Sequence, residues 1–285
     1  MIETIIQNTV MHTWYWQTWE DMPYLTCSLL EDWEHGFFTS AFSPRLPSEI
    51  VSVLQPEAQV YRVKQVHGNT VLTPSEIESA VCVNNDAQEE PERPSADGIL
   101  TEQPQQAVWV CTADCTPVLI ADEKTGQVAA VHAGWRGTAT RIVPNAIARL
   151  IDSGSRLENL RIAMGPAIAG EVYQVSETVA AEVGASIIPQ DKAESPDAIL
   201  DLLQQLPDSP ILEDTHPGRV RLDVRRVNAI QLEQLGIPSE KVAIAPYCTY
   251  QKSEHFFSYR RDKLKKVQWS GIVSRAPGAK NVLEK

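Results

Sequence analysis

Three apolar runs stand close together in the chain: Ala107-Val108-Trp109-Val110-Cys111, Pro117-Val118-Leu119-Ile120-Ala121 and Gln127-Val128-Ala129-Ala130-Val131. Thr112 to Thr116 separates the first two, and Glu123-Lys124-Thr125-Gly126 the last two. Each run is short, rich in β-formers and bounded by turn residues, which predicts strands over 106–111, 117–122 and 127–132. Glu123 to Gly126 reads as a hairpin turn, so the last two strands pair and bring Cys115 and His132 to the same end. A separation of 17 residues becomes a short distance.

Downstream, Ala133-Gly134-Trp135-Arg136-Gly137 leads into a change of period, with Ile142, Ala146, Ile147 and Leu150 on one helical face. Backbone N–H groups of a helix following this turn would help hold an anion, with Arg136 beside them. Leu160 to Ile168 reads as a core strand, Val175 to Val183 as a helix begun by Ser176, Leu222 to Leu235 as a helix stopped by Gly236, and Lys241 to Ala245 as a strand. Upstream, residues 11–42 mix β-formers and aromatics and suit strands. Packing weighs more than a base-stacking platform for Trp14, Tyr15, Trp16 and Trp19. The stretch 58–72 alternates apolar and polar residues as a half-buried strand does, with His67 at or just past its end. Surface insertions are expected near 84–95 and 189–218; the second, rich in Pro and Asp around a short amphipathic stretch, Ala198 to Leu206, reads as an insertion or a mobile segment.

A chain of 285 residues with 43% hydrophobic and 22% charged residues is expected to fold as one domain, 1–285, with a substantial core. Its apolar runs fall far short of the ~20 residues that span a bilayer. The start of the chain lacks the basic and apolar regions of a secretory signal, so no membrane association and a cytoplasmic location are expected. A net charge of −12 repels phosphodiester backbones and argues against nucleic acid, while leaving room for a small anion held by local arginines. Cysteines at 27, 82, 111, 115 and 248 make an odd count, better explained by free thiols or a metal ligand than by a disulfide framework.

His67, Cys115 and His132 each stand beside small or turn-forming residues that let a ligand approach, and Asp114 next to Cys115 is costly to bury unless paired. Two imidazoles and a thiolate would hold zinc with a fourth position open, which suits deamination or hydrolysis. Alternatively, Cys115 is a nucleophile with His132 as its base and His67 peripheral. A four-copper oxidase centre is hard to assemble from six histidines with no His-x-His pair. Further along, Arg260 and Arg261 are expected at a strand end on opposite faces, one to bind phosphate and the other to pair with a carboxylate.

Read together, these segments resemble the YfiH-like family, long labelled multicopper polyphenol oxidoreductase or laccase. The motifs are Lys64-Gln65-Val66-His67-Gly68, Ala96-Asp97-Gly98-Ile99-Leu100-Thr101, Thr112-Ala113-Asp114-Cys115-Thr116-Pro117, Val131-His132-Ala133-Gly134-Trp135-Arg136-Gly137, Gly165-Pro166-Ala167-Ile168, Asp223-Val224, Cys248-Thr249 and Phe256-Phe257-Ser258-Tyr259-Arg260-Arg261. The resemblance covers roughly Cys27 to Ile272. The resemblance implies an α+β fold, a layered α/β/β/α sandwich of mixed sheets, and a metal site at His67, Cys115 and His132 holding zinc, with copper as the alternative. It further implies a purine nucleoside phosphorylase acting on adenosine, inosine, guanosine and methylthioadenosine, with adenosine deaminase activity, as a monomer or homodimer. Cys115, His132 and Asp114 would be catalytic, Asp114 orienting a neighbouring group. Arg136 and one of Arg260 or Arg261 would hold phosphate, and His35 would contact substrate. Editing of muramyl-peptide precursors and laccase-like oxidation are the family's other assignments, and a toxin group of the same fold deamidates glutamine with a Cys/His pair. A metal-dependent sensor without turnover is the non-enzymatic alternative. The chain departs from the family's N-terminal Phe-Ser/Thr-Thr-Arg motif, carrying Phe37-Phe38-Thr39-Ser40-Ala41-Phe42 with no arginine until Arg45, although His35 and Thr39 fit its other positions.

Overall fold

Thr116–Asp122 and Val128–Ala133 form an antiparallel hairpin in which Pro117 faces His132 and Thr116 faces Ala133. Asp122 shapes the turn, its Oδ1 accepting the N–H groups of Lys124 and Thr125 at 2.7 and 3.0 Å. Gly126 completes it at φ 74°. A Cβ there would stand 2.2 Å from the Arg275 carbonyl oxygen, so both conformation and space require glycine.

The computed structural model describes residues 12–82 and 93–279, and most of the insertion expected near 84–95 lies outside the described residues. The strands are β1 (Trp14–Trp19), β2 (Met22–Cys27), β3 (His35–Phe38), β4 (Gln59–Tyr61), β5 (Val71–Leu72), β6 (Gly98–Leu100), β7 (Gln106–Thr112), β8 (Thr116–Asp122) and β9 (Val128–Ala133). They continue as β10 (Leu160–Met164), β11 (Gln174–Ser176), β12 (Ile211–Glu213), β13 (Arg219–Leu222), β14 (Val242–Ile244) and β15 (Gln268–Val273). The helices are α1 (Pro47–Leu54), α2 (Pro74–Cys82), α3 (Trp135–Ala139), α4 (Ile142–Asp152), α5 (Glu177–Gly184), α6 (Pro196–Gln204), α7 (Val224–Gln234) and α8 (Tyr259–Asp262).

Two six-stranded sheets, ordered β1-β2-β3-β15-β7-β4 and β14-β10-β8-β9-β6-β5, pack face to face. Phe37, Val108, Val110 and Ile272 of the first meet Leu119, Ala121, Val128 and Ala130 of the second. The outer face of the second sheet, with Val118, Ile120 and Val131, buries Ile142, Ala146, Ile147 and Leu150 of α4. The outer face of the first, with Phe38 and Trp109, buries Ile50, Val51 and Leu54 of α1. The fold is therefore α+β, layered α/β/β/α. Every residue of β8 and β9 is buried because both faces are covered, which is why their sequences read as continuous apolar runs. Full burial of one such aliphatic side chain contributes about 1.5–3 kcal/mol. Among the described residues no helix is long and apolar enough to cross a membrane.

Several expectations need correction. The strand expected over 58–72 ends at Tyr61. Lys64 then makes an isolated bridge to Ser95, and the chain turns at His67, whose φ is 62°. The backbone bonds that would extend the strand go instead to the 94–97 segment and the Asp97 carboxylate. The single helix expected after Gly137 is two helices, parted at Arg141, whose φ is 60°. The segment 189–218 carries regular, packed structure. Its α6 buries Ile199, Leu200 and Leu203 against Ala180 and Val183 of α5, and its β12 completes a three-stranded sheet, β11-β13-β12. Pro196 at the first turn and Ser195, whose side chain accepts the Ala198 N–H, start α6 two residues ahead of the expected stretch. Arg260 and Arg261 lie in the one-turn helix α8, not at a strand end.

Candidate active site

Ala113, Asp114 and Cys115 carry the chain from β7 in the first sheet to β8 in the second, so the motif sits where the chain changes sheets. Asp114 takes up φ 94° at this crossing. Its buried carboxylate accepts the Thr249 hydroxyl through Oδ1 and the Arg260 N–H through Oδ2, both at 2.7 Å. The acid is paired with two donors rather than left alone, as its burial demands.

Cys115 then stands at the start of β8 across from His132 near the end of β9, and the loop after β4 brings His67 to both. One ligand atom from each of the three lies within 4.8 Å of the others, the one such group among the described residues. The His67 and His132 rings meet edge to face, with centroids 4.8 Å apart. Gly134 permits this approach, since a Cβ there would come 2.9 Å from Cys115 Sγ and 3.4 Å from His67 Cδ2.

Asp97, to which the sequence reading gave no role, holds this group together. Its Oδ1 lies 2.8 Å from His132 Nδ1. The same carboxylate accepts the backbone N–H groups of Val66, His67 and Gly68. Burial alone would push its carboxyl up, but the bonds to His132, Gly68 and His67 outweigh burial and hold it below the usual carboxylate range. With Nδ1 engaged, Nε2 is the His132 nitrogen left for a metal or a thiol. Burial likewise favours the neutral Cys115 thiol, yet the neighbouring His132 and His67 bring it down to about 6. His132 is raised to about 9, because the thiolate and Asp97 overcome the burial that opposes its charge. Cys111, four residues earlier, is pushed up to about 11 by burial and remains a thiol.

The group opens into a cavity of about 570 Å³ that Trp135, Arg136, Tyr173, Tyr259, Arg260 and Lys263 to Lys266 also line. The Arg136 guanidinium lies over the Trp135 ring at 4.3 Å and that of Arg260 over the Tyr173 ring at 4.7 Å. Arg260 Nη1 also donates to the Gln174 carbonyl at 2.7 Å, which fixes its direction. Burial, and the Cys115 thiolate, raise Tyr173 to about 12, keeping its hydroxyl a donor. Arg261 is absent from the cavity lining and instead binds the carbonyls of Thr249, Tyr250 and Phe256 and the Asp262 carboxylate. His35 is also away from the cavity. Its Nε2 accepts the Cys27 N–H and its Nδ1 donates to the Trp33 carbonyl, each at 2.8 Å, and burial lowers it to about 4. Thr39 donates its hydroxyl to the Pro23 carbonyl.

Sequence reasoning passed over Asp97, Tyr173, Gln65, Trp135 and the lysines of 263–266. Asp97 carried one signal, an acid between Ala96 and Gly98 ahead of a buried strand, where an unpaired charge would be costly. Gln65 reaches Cys111 with both ends of its amide, an arrangement visible only once the loop and β7 are adjacent.

The donor set, two imidazoles and a thiolate with a carboxylate behind one ring, fits a single zinc ion and equally a single copper ion. It does not furnish a multinuclear copper centre among the described residues.

A family model described as multi-copper polyphenol oxidoreductase laccase matches residues 48–273. The chain belongs to this laccase-type, YfiH-like family. It is 50% identical over 261 residues to a purine nucleoside phosphorylase of Synechocystis sp., covering 92% of this chain and 97% of that protein. A purine nucleoside phosphorylase of Streptomyces griseus is 32% identical over 206 residues, covering 72% of this chain and 70% of the relative. Among solved structures, YlmD of Geobacillus stearothermophilus superposes with a TM-score of 0.71 at 23% identity, covering 91% of this chain and 98% of that one. YfiH of Bacillus licheniformis gives 0.70 at 22%, covering 91% and 99%. These two likenesses establish the YfiH-like fold.

Proposed function

We propose that this family member is a purine nucleoside phosphorylase with adenosine deaminase activity, built on a zinc site of His67, Cys115 and His132. The observation that carries the reading is the meeting of those three ligands with the guanidiniums of Arg136 and Arg260 in one cavity of about 570 Å³. That volume falls in the range of small-molecule sites. The Synechocystis relative's name supports the phosphorylase part of this reading. Zinc held there would supply Lewis acidity next to the substrate.

In phosphorolysis, Arg136 and Arg260 orient a phosphate oxygen toward the anomeric carbon of the bound nucleoside. The new carbon–oxygen bond forms as the glycosidic carbon–nitrogen bond breaks. The electron pair leaves with the purine, which takes up a proton, and ribose 1-phosphate remains. The ring contacts with Trp135 and Tyr173, and the Gln174 carbonyl that binds Arg260, limit the directions the two guanidiniums can take. Deamination uses water rather than phosphate, so the same cavity accommodates both reactions without both arginines being needed for each.

The assay is adenosine with and without phosphate, resolving adenine, inosine, ribose and ribose 1-phosphate. Adenine release that needs phosphate and yields ribose 1-phosphate is expected; equal release without phosphate, giving free ribose, would sink the phosphorylase reading. One observation favours a second reading: Cys115, His132 and Asp97 also form a thiolate, imidazole and carboxylate series suited to nucleophilic hydrolysis of an amide. Activity on an amide that survives complete metal removal would select it.

A further inference from the structure

A second cavity, of about 210 Å³, lies on the other side of the 265–267 segment, and Lys265, Lys266 and Val267 line both cavities. Residues of the 39–46 segment, Ser43 and Arg45 among them, complete its lining. No aspartate or glutamate is among its described lining residues, in a chain whose net charge is −12.

The Arg45 guanidinium lies over the Trp19 ring at 5.9 Å and has no close oxygen acceptor. Its Nη1 donates to the thioether of Met22 at 3.0 Å, a poor acceptor, and the Glu20 carboxylate stands at 4.0 Å, beyond hydrogen-bond reach. Its side chain is 36% exposed, so its remaining donors are accessible. Two lysines and an arginine line this space, the Glu20 carboxylate 4.0 Å from Arg45 offsets only part of their charge, and an anion in the space would offset more of it. A phosphate dianion suits the set better than a single carboxylate does. Its several oxygens can accept from more than one donor, and its double charge offsets more positive charge than one carboxylate does.

We propose that this smaller cavity is an anion subsite beside the metal cavity, taking a phosphate group either as free orthophosphate or as the phosphomonoester of a nucleotide. The subsite stands apart from the phosphate expected on Arg136 and Arg260, and its existence does not require turnover.

Equilibrium dialysis of the purified full chain with labelled inorganic phosphate tests it. Wild type is expected to bind two phosphates. Arg45→Ala should weaken one of them by roughly ten- to a hundredfold, the usual scale for one charge-assisted hydrogen-bond partner. The other phosphate, and adenosine turnover, should stay unchanged, while Arg136→Ala should give the converse binding result. Ser43→Asp, which sets a carboxylate on the exposed wall, should abolish the same site, with circular dichroism confirming the fold of both variants. Adenosine 5′-monophosphate that displaces the Arg45-dependent phosphate assigns the site to a nucleotide, and failure to displace it assigns the free ion. A wild-type protein with no phosphate sensitive to either Arg45→Ala or Ser43→Asp overturns the proposal. Two bound phosphates in a protein that does not phosphorolyse nucleosides would discard the enzymatic reading and keep the subsite.

Discussion

Asp97 Oδ1 lies 2.8 Å from Nδ1 of His132, and the same carboxylate accepts the backbone N–H groups around His67. One acid thus aligns two of the three candidate ligands, although it would touch no metal itself. Asp97→Asn keeps the shape but weakens the acceptor and removes the charge. It should lower metal affinity by about 10- to 100-fold, the usual effect of losing a partner behind a ligating histidine. A competition titration with a metal-binding dye measures this, and unchanged affinity would show that Asp97 serves folding alone.

The metal-free protein should hold Cys115 as a thiolate well below the ordinary thiol range. Its folded value is depressed from 9.0 to about 6, so its contribution to stability is present above pH 9 and is lost as pH falls through about 6. His132 is raised from 6.5 to about 9, so its contribution is complete below 6.5 and is lost as pH rises through about 9. Each group is a main cause of the other's shift, so Cys115→Ser should reduce both effects together. Thiolate ultraviolet absorbance and thermal melts of metal-free wild type and Cys115→Ser across pH 5–10 check this. A Cys115 titration midpoint near 9 would remove the ion pair.

Arg136 and Arg261 are both arginines of the sequence motifs, but only the first lines the cavity. Arg136→Ala should reduce phosphorolysis or raise the phosphate KM by roughly ten- to a thousandfold, from loss of about 1.5–4 kcal/mol of charge-assisted binding or transition-state stabilisation. Deamination should fall much less. Arg261→Ala, which releases the carbonyls of Thr249, Tyr250 and Phe256, should lower the melting temperature and reduce both activities alike. Equal losses of the two activities in Arg136→Ala, at full zinc content, would assign that side chain to the scaffold.

Leu203 lies in the segment whose composition resembles an insertion, yet it is fully buried. Leu203→Ala should cost about 2–5 kcal/mol in denaturant unfolding, the range for such truncations in a packed core. A loss below 1 kcal/mol would mean that α6 contributes little to the folded core.

Much of the fold was legible because its signals are local. Short apolar runs and turn chemistry gave β7, β8, β9 and the hairpin, and a helix pattern stopped by Gly236 gave α7 within two residues. The 58–72 stretch misled because a half-buried loop and a half-buried strand show the same alternation, and only the destination of the backbone hydrogen bonds tells them apart. The 189–218 stretch misled because proline and aspartate mark helix starts as readily as loose surface.

The sequence by itself determined the candidate donors, His67, Cys115 and His132, and the hairpin that brings the last two together, since both follow from residue chemistry and a short turn. Only the tertiary structure decided the rest. It placed Asp97 behind His132, set Arg260 on the cavity lining and turned Arg261 toward carbonyls, and brought Arg45, Lys265 and Lys266 to one cavity. Those relationships depend on where distant segments cross between the two sheets. Each joins residues more than ten positions apart, which no local pattern in the chain records.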